Sequence, residues 1–570
     1  MKFEKLSVYL DKLEKTSSRI EITKILADLF KEARYEEIDK IVYLLLGSLA
    51  PSYEGVVFNL AERMMMRILA KAFGKEVDYV TRLYKQKGDL GEVAQELATT
   101  KGTNISVSEI YEKLLAIAQE HGDASQERKI NETANVLSML DPLSARFVAR
   151  IPVGRLRLGF SDKTILDALS WMETGGKSKK ADLESAYNIR PDVGLLARMV
   201  KERGIEKAAK EIDPHIGVPI MPMLAQRLKS PSEMIEKMKR VYVEPKFDGL
   251  RIQIHYKKSG FDNGKRVKAF TRNLNETSWM FPELNEIEKQ IAADDVILDS
   301  EAIGVDEERK TLANFQTTMT RRRKHDIEQI AAKMKIRFYV FDLMLKNQKS
   351  LINETYIKRR EELDKTIKKG NVLQVVNYEV TERSERINEL MRKELKEGME
   401  GIIVKRADSS YIAGRTGWRW VKMKEEETSY AKLADTIDCV VMGYSAGRGK
   451  RVGFGLGQFL VGVRDGDEVK TVTKVGTGLT DEQFRELKRR LKGLEVKEKP
   501  KNYLVNKLLE PDYWVTPEIV VEIAADEITK SPTHTAGLAL RFPRLIKFRD
   551  DKSYEEATTV GELKNLFKLQ

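Results

Sequence analysis

The sequence predicts a multidomain α+β protein: an all-α N-terminal domain, a middle α+β domain with antiparallel sheets, and a small C-terminal β-barrel. Three observations carry this expectation. Apolar residues recur at helical spacing up to about residue 215 and in period-two runs after it. Pro214, Pro219, Pro222 and Pro231 mark the change of period. Beyond about residue 428 the strands shorten and glycine becomes frequent, as small barrels require. At 570 residues the chain is too long for one core. The expected domains are 1–215, 216–427 and 428–570.

The first domain is read from its stripes. Phe3, Leu6, Tyr9, Leu10 and Leu13 fall on one helical face, as do Ile38, Ile41, Leu44 and Leu45, and later Tyr111, Leu114, Leu115 and Ile117. Breaks are expected at Ser48–Ser52, Gly102–Asn104 and Asp141-Pro142. Arg150, Arg155 and Arg157 gather beside Gly154 and Gly159, a set able to hold a phosphate backbone. An ordinary helix connection with solvated arginines fits the same residues. Ser161-Asp162 then caps a further helix.

In the middle domain strands are expected through Val267, Ala269 and Thr271, over Val296–Glu301, through Ile336, Phe338, Val340 and Asp342, and over Ile402–Val404. Helices are expected at Glu283–Ile291, Thr355–Ile367 and Ser384–Glu397. The alternation lacks a regular βα rhythm, which favours antiparallel sheets. In the last domain, Thr436–Tyr444, Phe459–Val463 and Val469–Val475 read as barrel strands, and oligonucleotide-binding barrels are one class with this spacing. Gly453-Phe454-Gly455-Leu456-Gly457 is not a dinucleotide fingerprint, because no Gly-x-Gly-x-x-Gly opens a helix within a βαβ unit.

Composition narrows the function. Charged residues make up 33 % and hydrophobic residues 41 %, a soluble globular profile, and no apolar run is long enough for a membrane span. The start, Met1-Lys2-Phe3-Glu4-Lys5, lacks the apolar core of a signal peptide. Cys439 is the single cysteine, which excludes an intramolecular disulfide framework and a cysteine-rich zinc site and fits a reducing cytoplasm. The net charge of +12 suits a polyanionic partner, although a Lys/Glu-rich surface serving solubility gives the same balance.

The middle domain carries the chemistry. Val241-Tyr242-Val243-Glu244 and Leu250-Arg251-Ile252-Gln253-Ile254 alternate on either side of Pro245-Lys246-Phe247-Asp248-Gly249, which places Lys246 at a strand end. Asp299 and Glu301 are two apart on a strand, so their carboxylates share a face. Lys422 and Lys424 share one in the same way. Glu400 precedes the strand Ile402-Ile403-Val404, and Arg541 and Arg544 lie near the C-terminus. Carboxylates on strands hold Mg²⁺, and paired cations clamp phosphates. Taken singly, each pair also fits a solvated strand face, and Lys-x-Asp-Gly fits a surface turn.

Glu244-Pro245-Lys246-Phe247-Asp248-Gly249 resembles the active-lysine motif of the covalent nucleotidyltransferases, which are ATP-dependent DNA ligases, RNA ligases and mRNA capping enzymes. Further motifs follow in that superfamily's order. They are Thr271-Arg272-Asn273, Leu298-Asp299-Ser300-Glu301-Ala302, Phe338–Leu343, Glu400–Lys405 and Trp420-Val421-Lys422-Met423-Lys424. The stretch Leu540–Lys552 and the N-terminal Leu156-Arg157-Leu158-Gly159 resemble archaeal and eukaryotic replicative DNA ligases, and the likeness spans nearly the whole chain. The resemblance implies an all-helical DNA-binding domain, an adenylation (nucleotidyltransferase) domain and an OB-fold domain. It also implies sealing of nicks between 3′-hydroxyl and 5′-phosphate through lysyl-AMP on Lys246, in DNA replication, repair and recombination.

Roles follow from the same resemblance. Glu244 would read the adenine amino group and Phe341 would stack on the base. Arg251, Arg272 and Glu301 would hold the ribose and nearby phosphate. Lys422 and Lys424 would neutralise the α-phosphate, and Arg541 would engage the leaving pyrophosphate. Mg²⁺ would be served by Glu301 and Glu400; the DNA contacts, Arg150, Arg155 and Arg157, come from the basic cluster itself and not from the resemblance. ATP is the implied nucleotide, with ADP or GTP also compatible with the residues, and nicked double-stranded DNA is the implied partner of a cytoplasmic, nucleoid-associated monomer. Arg415 stands where relatives often carry Lys-Arg as an ATP contact. Near Thr99–Gly102, where some relatives offer a sliding clamp a glutamine-plus-aromatic-pair loop, no aromatic pair is present, which leaves a sliding clamp open as a partner. RNA ligase or guanylyltransferase chemistry shares the lysine, and a silent DNA-binding scaffold would share the fold. NAD-dependent ligation is disfavoured, because one cysteine cannot make that family's four-cysteine zinc site.

Overall fold

The computed structural model describes residues 1–569 apart from 102–103, 155, 157, 229, 307–310, 313–334, 415–416, 425–435, 448–453, 477–478 and 526. The chain divides into two compact units, Met1–Glu425 and Glu426–Gln570. No described helix is long and apolar enough to cross a membrane.

The first unit begins with thirteen described α-helices, from Phe3–Glu14 to Ile205–Lys210. Their stripes bury as the spacing demands: Phe3, Leu6, Leu10 and Leu13 of the first helix enter one core with Ile38, Ile41, Leu44 and Leu114. Helix starts are written locally. Asp141 accepts from the amides of Leu143 and Ser144 ahead of Pro142, and Ser106 and Glu109 form a reciprocal capping box.

Two largely antiparallel sheets follow in the same unit. One has the order Gln226–Arg227, Trp420–Lys424, Gly401–Arg406, Val241–Lys246, Glu379–Thr381. The other runs Val267–Thr271, Leu250–Lys257, Asp295–Asp306, Lys335–Lys346, Lys349–Ser350. Val241, Val243, Ile402, Val404 and Val421 form the apolar underside of the first sheet, packed on Met234, Met238, Ile387 and Leu390 of the helices Pro231–Met238 and Ser384–Lys396. The segment expected as an α-helix near residue 283 is instead a 3₁₀ helix, Pro282–Gln290. Its buried Leu284, Ile287 and Gln290 recur every third residue, the period that 3₁₀ geometry eclipses.

The second unit is sheet-rich. Its main sheet has the order Glu495–Val496, Tyr513–Val515, Ile437–Ser445, Gln458–Asp465, Glu468–Val475, Tyr503–Leu504, and Val520–Ala524 branches from Ile437–Ser445 to pair with Arg544–Phe548. The expected closed barrel is only half-closed: among the described residues no ladder joins Glu495–Val496 to Tyr503–Leu504. The physical reason is edge length, since each of those end strands is two residues long. Register shifts at Val441/Gly443, Val461/Gly462 and Glu522/Ile523 bend the longer strands around a shared core. Cys439 is buried in that core.

Candidate active site

The chain leaves one sheet at Lys246 and enters the other at Leu250, so the break Phe247–Gly249 joins the two sheets. Gly249 serves close approach here. A Cβ on it would lie 2.6 Å from the Ala302 carbonyl oxygen and 3.0 Å from Glu301 Cγ. Phe247 stacks on Tyr339 at 4.3 Å between centroids and fixes the other side of the break.

Register turns separate motifs into one surface. Lys246, Gly401 and Lys424 form one cross-strand row, Glu244, Ile403 and Lys422 the next, and Tyr242, Lys405 and Trp420 a third. Because side chains alternate, all three rows share one face. That face borders a cavity of about 1030 Å³. Nine of the expected residues line it: Lys246, Glu244, Arg251, Arg272, Glu301, Phe341, Glu400, Lys422 and Lys424.

Lys246 is held at the cavity edge. Its Nζ donates to Glu400, whose carboxylate also accepts from Lys424, and the Glu400 amide donates to the Lys246 carbonyl at 3.0 Å. Gly401 makes the approach possible: a Cβ there would sit 2.2 Å from the Met423 carbonyl oxygen, at φ +146°. Burial pulls the Lys246 pKa below the usual lysine value, with Glu301 and Asp248 opposing. A lysine so placed gives up its proton more readily, which is what a nucleophilic amine needs.

Glu301 lies directly opposite Arg251 in the ladder. Burial raises its carboxyl pKa from 4.5 to about 7, against the pull of Arg251 and Lys246. Arg251 is itself bound bidentately by Asp299, at 3.0 and 2.6 Å, and its Nη1 donates to the Met223 carbonyl at 2.7 Å. Burial works against the Arg251 charge, but Asp299 more than offsets it and the pKa rises above the ordinary arginine value. Tyr411 donates to Asp299 at 3.2 Å and accepts from the Met223 amide at 2.9 Å, closing the group.

At the base of the cavity Glu244 is 3 % exposed. It accepts from Tyr356 and pairs with Lys405 at 2.7 Å. The Lys405 ammonium lies 4.6 Å from the Phe341 ring and 4.5 Å from that of Trp420. Behind them Arg359 and Asp342 form a fully buried bidentate pair at 2.8 and 2.9 Å, tying the helix Tyr356–Thr366 to the strand Lys335–Lys346.

The other expected residues lie elsewhere. Arg541 belongs to the second unit, where its Nη1 donates to Glu527 at 2.5 Å. Arg415, Arg155 and Arg157 fall outside the described residues. Arg150, expected to face phosphate, is 1 % exposed and paired with Asp89 and Glu14, both at 3.0 Å. Its charge is spent inside the helical bundle, because Leu90–Leu97 packs against the helix carrying it. Sequence reasoning gave no role to Lys405, Tyr356, Arg360, Arg359 or Trp420. The signal for Lys405 and Trp420 was present, since each stands two residues from a position on the charged face.

Helical N-terminal region, paired antiparallel sheets around a strand-end lysine and a sheet-rich C-terminal unit together define the nucleotidyltransferase architecture of ligases. Residues 222–424 match the ATP dependent DNA ligase domain, residues 2–170 the DNA ligase N terminus, and residues 453–552 the ATP dependent DNA ligase C terminal region. A probable DNA ligase of Dictyoglomus turgidum is 39 % identical over 100 % of this chain and 98 % of its own length. The DNA ligase of Sulfurisphaera tokodaii is 38 % identical with the same coverage. The solved structure Pmar-Lig_PreS3 shares the fold, with a TM-score of 0.54 at 19 % identity over 95 % of this chain and 99 % of that one. The chain belongs to the ATP-dependent DNA ligase family, enzymes that form phosphodiester bonds to seal nicked DNA.

Proposed function

We propose that Lys246 is the nucleophile of this ligase. The neutral Nζ attacks the α-phosphorus of ATP, an N–P bond forms, the bond to the β-phosphate breaks and pyrophosphate leaves. An oxygen of the 5′-phosphate at a nick then displaces Lys246 and takes up the AMP. The 3′-hydroxyl attacks the 5′-phosphorus, and AMP departs as the strand closes. Each step is in-line phosphoryl chemistry, in which positioning and charge stabilisation supply most of the acceleration. The observation that carries the reading is the shared face on which Lys246, Glu244, Lys422 and Lys424 meet across three strands.

Glu244 and Phe341 take the base, Arg251, Arg272 and Glu301 the ribose and nearby phosphate, and Lys422 and Lys424 the α-phosphate. Among the described residues no group of three or more His, Cys, Asp or Glu could hold a metal by itself. Two carboxylates suit Mg²⁺, which binds through one or two of them plus substrate phosphates. Glu301 and Glu400 both line the cavity and are the carboxylates that would hold the ion. When bound, it supplies charge neutralisation at the phosphates.

We extend the reading to the whole chain: a DNA-binding domain over 1–215 that includes Arg155 and Arg157, an adenylation domain over 216–427 with Arg415 as an ATP contact, and an OB-fold over 428–570 that presents Arg541 to pyrophosphate. Its setting is replication, repair and recombination in the cytoplasm. Incubation with α-labelled ATP tests the central step. Wild type takes up covalent label that withstands alkali and is released by acid, as an N–P bond requires, and Lys246→Ala takes up none; label on the variant would refute the assignment.

A further inference from the structure

Glu244 reaches its orientation through a residue from outside the strands. Tyr356 is the first residue of the helix Tyr356–Thr366, capped by Thr355 and locked by the Arg359–Asp342 pair. It is 0 % exposed, and its ring meets Tyr242 edge-on at 5.2 Å. Its hydroxyl donates to Glu244 Oε1. Lys405 supplies the other oxygen: its Nζ lies 2.7 Å from Glu244 Oε2 and donates to the Phe341 carbonyl and to Tyr356 Oη, each at 3.2 Å. The ammonium thus makes an ion pair and two hydrogen bonds within this one group. Arg360 Nη1 stands 4.0 Å from Glu244 and adds positive charge on the buried side. Both oxygens of Glu244 are thus gripped from behind by donors, and what remains toward the cavity is acceptor capacity only. The Phe341 carbonyl, held by the same ammonium, ties this group to the ring that borders the cavity.

We propose that Tyr356 is a positioning residue that sets the choice of base: with Lys405 it holds Glu244 so that this carboxylate offers only acceptors to position 6 of a purine, admitting a 6-amino group and refusing a 6-oxo group. The proposal rests on the reading of Glu244 as the contact to the base. A site built to pair one polar group rejects an analogue that leaves it unpaired by large factors, which is how one hydroxyl behind a carboxylate governs selectivity. Without the Tyr356 hydroxyl the carboxylate turns about its last bond and the acceptor is no longer fixed. Without the Lys405 ammonium the other oxygen of Glu244 loses its anchor, and the acceptor is again no longer fixed.

Inosine triphosphate differs from ATP in carrying the 6-oxo group in place of the 6-amino group, so it is the probe. Self-labelling of the full chain is measured with each nucleotide. In Tyr356→Phe the ATP-to-inosine-triphosphate ratio of kcat/KM falls at least about tenfold, mainly through a higher KM for ATP, with kcat held within about twofold. A merely structural role would lower use of both nucleotides alike. A folded Tyr356→Phe enzyme with an unchanged ratio overturns the proposal. Should that variant fail to fold, Lys405→Met poses the same question, and an unchanged ratio in folded Lys405→Met overturns it equally. Glu244→Gln separates the two layers. An unchanged ratio there refutes Glu244 as the base contact and Tyr356 with it. A ratio lowered in Glu244→Gln but not in Tyr356→Phe removes only the positioning role.

Discussion

Replacing Glu301 with Gln should make the first unit more stable while disabling the enzyme. The carboxyl is raised from 4.5 to about 7 by burial, and that value already includes the attractions of Arg251 and Lys246. At about 1.4 kcal/mol per pH decade, holding Glu301 ionised costs the folded state about 3 kcal/mol. The sign follows from proton counting. Between pH 4.5 and about 7 the folded state binds more protons at this site than the unfolded chain, so this group's contribution to stability falls as pH rises through that window and then levels off. The neutral amide has no such slope. Glu301→Gln should therefore match wild type near pH 4.5 and exceed it by about 3 kcal/mol near pH 8. Urea unfolding at both pH values in the presence of chelator measures this. Trp279 and Trp420, which border the cavity, report on the first unit. Adding Mg²⁺ should then raise the stability of wild type more than that of the variant, which keeps only Glu400 of the two carboxylates. A variant no more stable than wild type at pH 8, or a difference equal at both pH values, would refute the reasoning.

Two further substitutions test the supports of the site. Asp342→Asn leaves the fully buried Arg359 without its counter-charge, and should destabilise the first unit by about 3–5 kcal/mol in urea unfolding. Gly401→Ala forces a methyl group toward the Met423 carbonyl, 2.2 Å from the ideal Cβ position, and should cost at least about 1–3 kcal/mol and reduce self-labelling by displacing Glu400. Gly398→Ala is its control: φ is +83° there with open space around the Cβ, so about 1 kcal/mol is expected and labelling should persist.

Much of the site was legible because it is written in short range. Period two puts Glu244 with Lys246, Asp299 with Glu301 and Lys422 with Lys424 on common faces, and the structure keeps each pairing. The helices of the first 210 residues follow from stripe spacing and local caps, interactions that close within four residues. Where local signals were ambiguous the reading slipped. Arg150 sits in a basic cluster by sequence, yet Asp89 and Glu14, its partners, are 61 and 136 residues away.

What the sequence determined by itself was the strands that carry the motifs, the shared faces of Asp299 with Glu301 and of Lys422 with Lys424 and, through the ordered motifs, the lysine at their centre. Tertiary structure alone decided which strands are neighbours, and hence that Lys246 meets Glu400 and Lys424. It decided that Gly249 and Gly401 are needed for close approach, and that Tyr356, 112 residues beyond Glu244, supplies that carboxylate with a hydroxyl. The reason is physical. Side-chain alternation and helix capping are fixed by covalent geometry within a few residues, whereas the pairing of distant strands and the burial of a charge are settled only by what packs against them.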